Sequence, residues 1–189
     1  MDSVLFGRLV DPPLDRRGEL EAEALAERFV DCGRLVIETS PRARALQTAV
    51  VIAARANRDV RIEAALDEVD FGRWSGLSFA TLLQDAEWRR WNEKRGFART
   101  PTGDSMPAVQ DRVIAHMRKL HVQYPSAVIA LVTHAEIIRA ALLYCLEAPL
   151  DDYARYLIDP ASLTTISMSG DALAVHGVSE RLVHERTNA

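Results

Sequence analysis

Two short apolar runs, each released directly into a helical pattern, constrain this chain more than any other feature. The first is RLVIE, residues 34–38, bounded by Gly33 and by Ser40-Pro41; the second is AVIALVT, residues 127–133. Runs of this length between turn residues read as strands buried on both faces. Leu46, Ala49, Val50 and Ala53 then repeat at helical spacing after the first, and Ala135 to Leu146 follow the second as a helix. Strand then helix, twice over, calls for crossover connections. The pattern therefore predicts an α/β fold, a mostly parallel sheet in a three-layer α/β/α arrangement. Ligands of such sheets bind at the carboxyl ends of the strands, where Ser40 and His134 fall.

The rest of the chain fits one domain. Ala22, Leu25, Ala26, Phe29 and Val30 predict an amphipathic helix from about Asp15 to Asp31, and Val109, Val113, Met117 and Leu120 predict another. Ser40 as N-cap with Pro41 at the first helical position opens the helix after the first strand. LTTISM (163–168) and ALAVHG (172–177) flank the turn Ser169-Gly170-Asp171 and read as a hairpin that finishes the sheet, as an antiparallel edge. With 189 residues and 48% hydrophobic content, a single domain over residues 1–189 is expected. Within it, residues 84–100 concentrate two tryptophans and five Arg or Lys residues. That segment, inside a span of about 77–104, reads either as a lid or insertion over the site or as a solvated helix with aromatics packed underneath. The polar stretch 178–189 reads as a loosely held tail.

Composition narrows the partners. The net charge is -4, with no basic stripe interleaved with aromatics, so no nucleic acid is expected as partner. Apolar runs such as Ala127 to Val132 are too short to cross a bilayer, and no leader pattern is visible, so no membrane is expected either. Cys32 and Cys145 lack any CxxC spacing and read as ordinary buried thiols, which suits a reducing cytoplasm.

Three segments carry candidate chemistry. In SPRARALQTA (40–49), Arg44 sits in the first turn of a helix that emerges from a strand end, where a five-donor fork and oriented backbone N–H groups together make a phosphate cradle. In LDEVDFGRWSG (66–76), Glu68 lies between Leu66 and Phe71-Gly72-Trp74, where desolvation favours the protonated carboxyl that a general acid needs. His134 stands at the end of its strand, placed to donate to a phosphoryl oxygen, with the N–H of Ala135 and the next turn adding donors. Taken singly, each has a bland alternative: a surface arginine, a capping glutamate, a satisfied core histidine. His116 and His121 near a helical stripe, and His176 and His184 in or after the last strand, read as structural or surface residues.

Together these segments resemble the histidine phosphatase superfamily, which includes the phosphoglycerate mutases. The matching pieces occur in the family's order: GR (7–8), Pro13-Leu14 with Gly18, SPxxRAxQTA (40–49), LxExDFGxWxG (66–76), the GES-like GDS (103–105) and VTHAEIIR (132–139). The DFGxWxG segment and the short middle are similar to the small phosphatases, including the α-ribazole phosphatase type. The resemblance implies a phosphoglycerate mutase-like fold and a phosphoryl group transferred to a histidine and then to water. It implies that Arg44 clamps the phosphate, Glu68 serves as proton donor and later base, and His134 with Ala135 stabilises the transferring group. No metal and no cofactor are implied, because such transfer rests on positioning and electrostatics.

The family's nucleophile belongs to an Arg-His-Gly element at the end of the first strand, just ahead of the GR pair, and the residues before Gly7 read only MDSVLF. Three explanations stay open: a native chain longer by on the order of 5–10 residues, a pseudoenzyme that binds phosphorylated ligands without turnover, or a substitute histidine. The chain as given is expected to have little or no phosphatase activity. Its first strand is expected to be missing or replaced, with SVLF (3–6) or another chain in the slot, which keeps a homodimer open. The expected ligand is a small phosphorylated metabolite or inorganic phosphate, and a mutase remains an alternative. Arg8 and Asp104, which stands where the family has glutamate, are expected to contact substrate. Trp91 is expected to stack on a ring and Arg95 to meet a charged group, alongside Trp88, Arg89, Arg90, Lys94 and Arg99.

Overall fold

The computed structural model describes residues 4–181. Helix α1 (Arg16–Ala26) starts at Asp15, whose carboxylate accepts from Gly18 N, and presents Ala22, Leu25 and Ala26 inward. It gives way at Glu27–Phe29 to a 3-10 turn, short of the expected Asp31. Strand β1 (Leu35–Thr39), helix α2 (Ala43–Ala56) and strand β2 (Val60–Ile62) follow. Then come the short helix α3 (Phe79–Leu82), α4 (Ala86–Glu93), α5 (Met106–Gln123), β3 (Val128–Val132), α6 (Ala135–Cys145), β4 (Ser162–Ser169) and β5 (Ala172–Arg181).

The three parallel strands pair in the order β2-β1-β3, with Ile37 opposite Val60 and Thr39 opposite Val132. Side chains alternate along β1, so Leu35 and Ile37 enter one core with Phe29, Ile52 and Ala53 from the α1–α2 side. Glu38 points to the opposite face, toward α5, where the second core joins Val109, Val113 and Ile137 to Trp74 and Trp91. Helices thus cover both faces of the sheet, as the strand–helix pattern predicts. No helix among the described residues is long and apolar enough to cross a membrane.

Several expectations need correction. The hairpin β4–β5 forms its own two-stranded antiparallel sheet and does not finish the parallel one. β5 also runs through Arg181, opposite Ser162, so residues 178–181 continue the strand, with a bulge at 178–179, rather than forming a loose tail; the remainder of that tail and His184 lie outside the described residues. Val4 bridges Ser78, and Leu5 exchanges backbone bonds with Leu77 and Gly76, so residues 4–6 do not occupy a slot beside β3. The Leu5 N–H and C=O are both bonded there, to Leu77 O and Gly76 N. Helix α2 begins at Ala43 with Arg42 as its N-cap, two residues after the expected Ser40 cap. Ser40 ends the strand instead, its N–H bonded to Val132 O at 2.9 Å.

Gly72 marks the tightest turn. Its φ is +54°, and a Cβ built there would stand 1.7 Å from Pro101 O. Gly72→Ala should therefore cost on the order of 3 kcal/mol or more in thermal unfolding. Gly33→Ala, where a Cβ meets nothing within 4 Å, should stay within about 0.5 kcal/mol of the parent.

Candidate active site

The parallel register ends β1 and β3 at one level, so the residues that leave them meet. His134 Nε2 lies 2.7 Å from Ser40 Oγ, both side chains buried. Thr133 Oγ1 donates to Leu66 O at 2.6 Å, which ties the loop carrying Asp67 and Glu68 against the end of β3. Glu68 Oε2 then stands 3.7 Å from His134 Nδ1 and 3.7 Å from Arg44 Nη2. Arg44, Glu68 and His134, from three distant segments, are thus brought together.

Arg8, expected to contact substrate, joins the cluster, and Arg42, Asp67 and Arg112, which sequence reasoning missed, complete it. Arg8 donates through Nε to Glu68 O at 2.6 Å and through Nη2 to Asp104 at 2.8 Å. Arg42 Nε is 2.9 Å from Asp67 Oδ1, close enough for charge pairing but not aligned as a hydrogen bond. Arg112, from α5, donates to Asp67 O at 2.5 Å, and its buried Nε has no partner. Four guanidiniums therefore surround one loop. Asp67 adjoins Glu68 and Arg42 follows Ser40, so both were within reach of a local reading. Arg112 had no local signal, because only the docking of α5 brings it here.

The cradle differs from the expected one in a specific way. The first N–H of α2, at Ala43, donates to the Asp11 carboxylate at 2.9 and 3.0 Å, and Asp11 Oδ1 also pairs with Arg44 Nη1 at 3.5 Å. An internal carboxylate already holds that helix end. Arg44 thus offers its side chain, while free backbone donors remain at α6, where His134 is the N-cap without a side-chain bond and Ala135 opens the helix.

Burial and charge set the protonation states. Glu68 is pushed up to about 7, first by burial, with the carboxylates of Glu136 and Asp67 adding to it and Arg44 opposing it. His134 is held down to about 3, first by burial and then by Arg44, Arg42, Arg112 and Arg8. Its ring is therefore neutral. The 2.7 Å contact to Ser40, against 3.5 Å from Ser40 Oγ to Asp67, favours the hydroxyl donating to Nε2. The ring proton then sits on Nδ1, facing Glu68 and free to donate to an anion.

Other candidates fall outside the cluster. Trp91 is fully buried among Phe71, Trp74 and Trp88, so it cannot stack on a ligand ring here; Trp88 is 8% exposed in the same packing. Arg95 is buried against Glu136 and cannot meet a ligand charge as placed. Arg89, Arg90, Lys94 and Arg99 are exposed, and Asp104 reaches the cluster only through Arg8 and the Asp70 N–H. Cys32 and Cys145 are half-buried free thiols rather than fully buried ones.

Among the described residues one group, Glu38, Glu63 and His116, brings metal-capable donors within 4.8 Å of one another. Its imidazole Nε2 is 2.6 Å from Glu38 and Nδ1 is 3.8 Å from Glu63. The two ring nitrogens face different carboxylates, an arrangement that suits a bridging imidazole better than a shared ion. The cleft of about 510 Å³ at the end of α6 is lined by Glu147 and Asp171 among others, and its acidic wall disfavours a phosphate.

Fold and cluster together describe an α/β protein whose parallel strand ends gather four arginines, a neutral imidazole and a carboxyl pushed up to about 7. The chain belongs to the histidine phosphatase superfamily (branch 1), whose family model matches residues 2–181. It is 29% identical over 162 residues to phosphoserine phosphatase 1 of Hydrogenobacter thermophilus, covering 85% of this chain and 77% of that protein. It is 33% identical over 178 residues to a bifunctional protein of Mycobacterium tuberculosis, covering 93% of this chain but only 48%, about half, of that relative's length. A mycobacterial glucosyl-3-phosphoglycerate phosphatase solved with inorganic phosphate superimposes with a TM-score of 0.83 at 26% identity, over 96% of this chain and 93% of that one.

The opposing shifts of the two titrating groups yield a stability test. Glu68 binds its proton more tightly folded than unfolded, so its contribution is fully present below about pH 4.5 and is lost as pH rises through about 7. His134 works the other way, adding stability as pH rises from about 3 to 6.5. Glu68→Gln removes only the first effect. Its stability relative to the parent, read by urea unfolding, should rise by on the order of 2–3 kcal/mol between pH 4.5 and 8.

Proposed function

We propose that this chain carries the site of a phosphomonoesterase that acts on small phosphorylated metabolites through a phosphohistidine. The observation that carries the reading is the convergence of the Arg44 guanidinium and the His134 ring on one carboxyl, each at 3.7 Å from Glu68. Arg44, with Arg8, Arg42 and Arg112 behind it, binds and orients the anion. The neutral His134 donates from Nδ1 to a phosphoryl oxygen, and the first N–H groups of α6 add donors as charge shifts to that group. Glu68, near half-protonated at neutral pH, gives its proton to the leaving alkoxide and takes one from the attacking water afterwards.

The relatives support this class and not a particular substrate: one is named for phosphoserine and another for glucosyl-3-phosphoglycerate. A second histidine facing the anion is what the transfer needs. Among the described residues His116 is engaged with Glu38 and His176 with Ser167, so neither serves. In this reading residues 1–189 bind phosphate with little turnover, and an Arg-His-Gly element supplied ahead of Gly7 completes the enzyme.

Residues 1–189 should bind inorganic phosphate by calorimetry. Arg44→Ala should weaken that binding by about a hundredfold, on the order of 2–3 kcal/mol for a lost charge-assisted contact, while His176→Ala should bind as the parent does. Equal binding by the two variants would place the cradle elsewhere. Hydrolysis of a chromogenic phosphate ester should rise well above background only in the chain extended with Arg-His-Gly. If that extended chain binds phosphate but stays inert, a binding module without turnover is the better reading. Sulfate, which does not titrate in this range, should bind more weakly as pH rises through about 7, and Glu68→Gln should flatten that dependence.

A further inference from the structure

Arg95 stands apart from the anion cluster, yet among the described residues it is the only buried arginine, 3% exposed. Its guanidinium lies between two aromatic rings, 3.7 Å from the centre of Trp91 and 3.5 Å from that of Tyr153. Nη1 pairs with Glu136, and Nη2 donates to Asn92 Oδ1 at 2.9 Å, an oxygen that also accepts from Tyr153 OH at 2.8 Å. Helix α4, the turn after it, the start of α6 and the 3-10 turn Leu150–Arg155 all meet at this one cation. Burying and ordering so long a charged side chain is costly, and one acid of opposite sign, Glu136, offsets it.

Glu136 sits where an anion site least tolerates a carboxylate. It is the second residue of α6, next to Ala135, at the helix end whose N–H groups and dipole attract the ligand. Left uncompensated, its charge would occupy that end and repel an incoming anion by a few kcal/mol at close range. It is also near enough to Glu68 to favour the protonated carboxyl there. Two arginines restrain it: Arg95 on one oxygen, and Arg139 Nη1 on the other at 2.9 Å, with Arg139 itself fixed by Nε to Tyr156 O at 2.8 Å.

We propose that Arg95 is a positioning residue of the anion site: by holding Glu136 against α4 and the Leu150–Arg155 turn, it keeps a negative charge off the N-terminus of α6. Anion affinity then depends on the docking of residues 86–99 against the start of α6. The inference rests on reading the cluster as a phosphate cradle.

Sulfate and inorganic phosphate titrated by calorimetry into the whole chain at pH 6.5 provide the test, using the parent, Arg95→Met, Glu136→Gln and the double variant. Arg95→Met should bind about tenfold more weakly, and Arg95→Met with Glu136→Gln should return to within about threefold of the parent, since no charge is left to restrain. Glu136→Gln alone should bind at least as tightly as the parent. A double variant no better than Arg95→Met would mean that Arg95 acts only through packing, and the proposal falls. It falls equally if Arg95→Met binds normally. Should Arg95→Met fail to fold by circular dichroism, Glu136→Gln still decides, because a loss of more than about threefold there contradicts a repulsive carboxylate. A parent that binds neither anion removes the cradle and this proposal together, whereas a parent that binds beside an unaffected Arg95→Met removes the proposal alone.

Discussion

Everything at the site depends on the register of one parallel strand pair. Thr39 lies opposite Val132, and the Ser40 N–H extends the ladder one residue further to Val132 O. Because side chains alternate with period two, that register turns Ser40 toward His134 while Ile37 stays in the core with Ala130. A slip of one residue would reverse both, burying a hydroxyl among alanines and isoleucines and turning Ile37 toward the polar side. The apolar face of β1 therefore specifies the site as firmly as it specifies the core.

The electrostatics follow from what the sheet end then gathers. Four guanidiniums crowd one loop, and each has found a carboxylate or a backbone carbonyl. Their field and their low-dielectric surroundings act together on His134, which sits neutral, and against each other on Glu68, where burial prevails over Arg44. A bound anion would add negative charge next to both groups and favour their protonated forms. Anion affinity and proton uptake are thereby linked, so a ligand with a fixed charge of its own reports on Glu68 most directly.

Much of this was legible in the chain itself, and the limits have physical causes. Strands 35–39 and 128–132 and the helices after them announced themselves because buried parallel strands need continuous apolar runs. Arg44, Glu68 and His134 were readable because each stands beside punctuation, a Ser-Pro, a Phe-Gly or a strand end. Trp91 and Arg95 misled for the opposite reason. Aromatic and basic residues at helical spacing look alike whether they face a ligand or one another, and here the tryptophans pack edge to face while Arg95 lies between Trp91 and Tyr153, residues 62 positions apart in sequence. Asp11 was missed as the partner of the α2 N-terminus because nothing local joins positions 11 and 43. Long-range polar pairing has no period to read.

Adjacent carboxylates acquire different work from the same loop. Asp67 accepts from the Glu68 N–H at 2.8 Å, lies within 3.5 Å of Ser40 Oγ and Arg8 Nε, and has Arg42 at 2.9 Å. Surrounded by donors, it serves as the point to which Arg8 and Arg42 are tied. Glu68 accepts only from the Val69 N–H at 2.9 Å, with Arg44 and His134 no nearer than 3.7 Å. One backbone donor and a distant cation do not compensate burial, so its charged form is the disfavoured one. As consecutive residues the two side chains leave the backbone in different directions, and Glu68 reaches Arg44 and His134 rather than the Ser40, Arg8 and Arg42 groups around Asp67. A well-partnered carboxylate and one whose charged form is disfavoured are thus separated within two consecutive residues by the cations and hydroxyl groups each one meets.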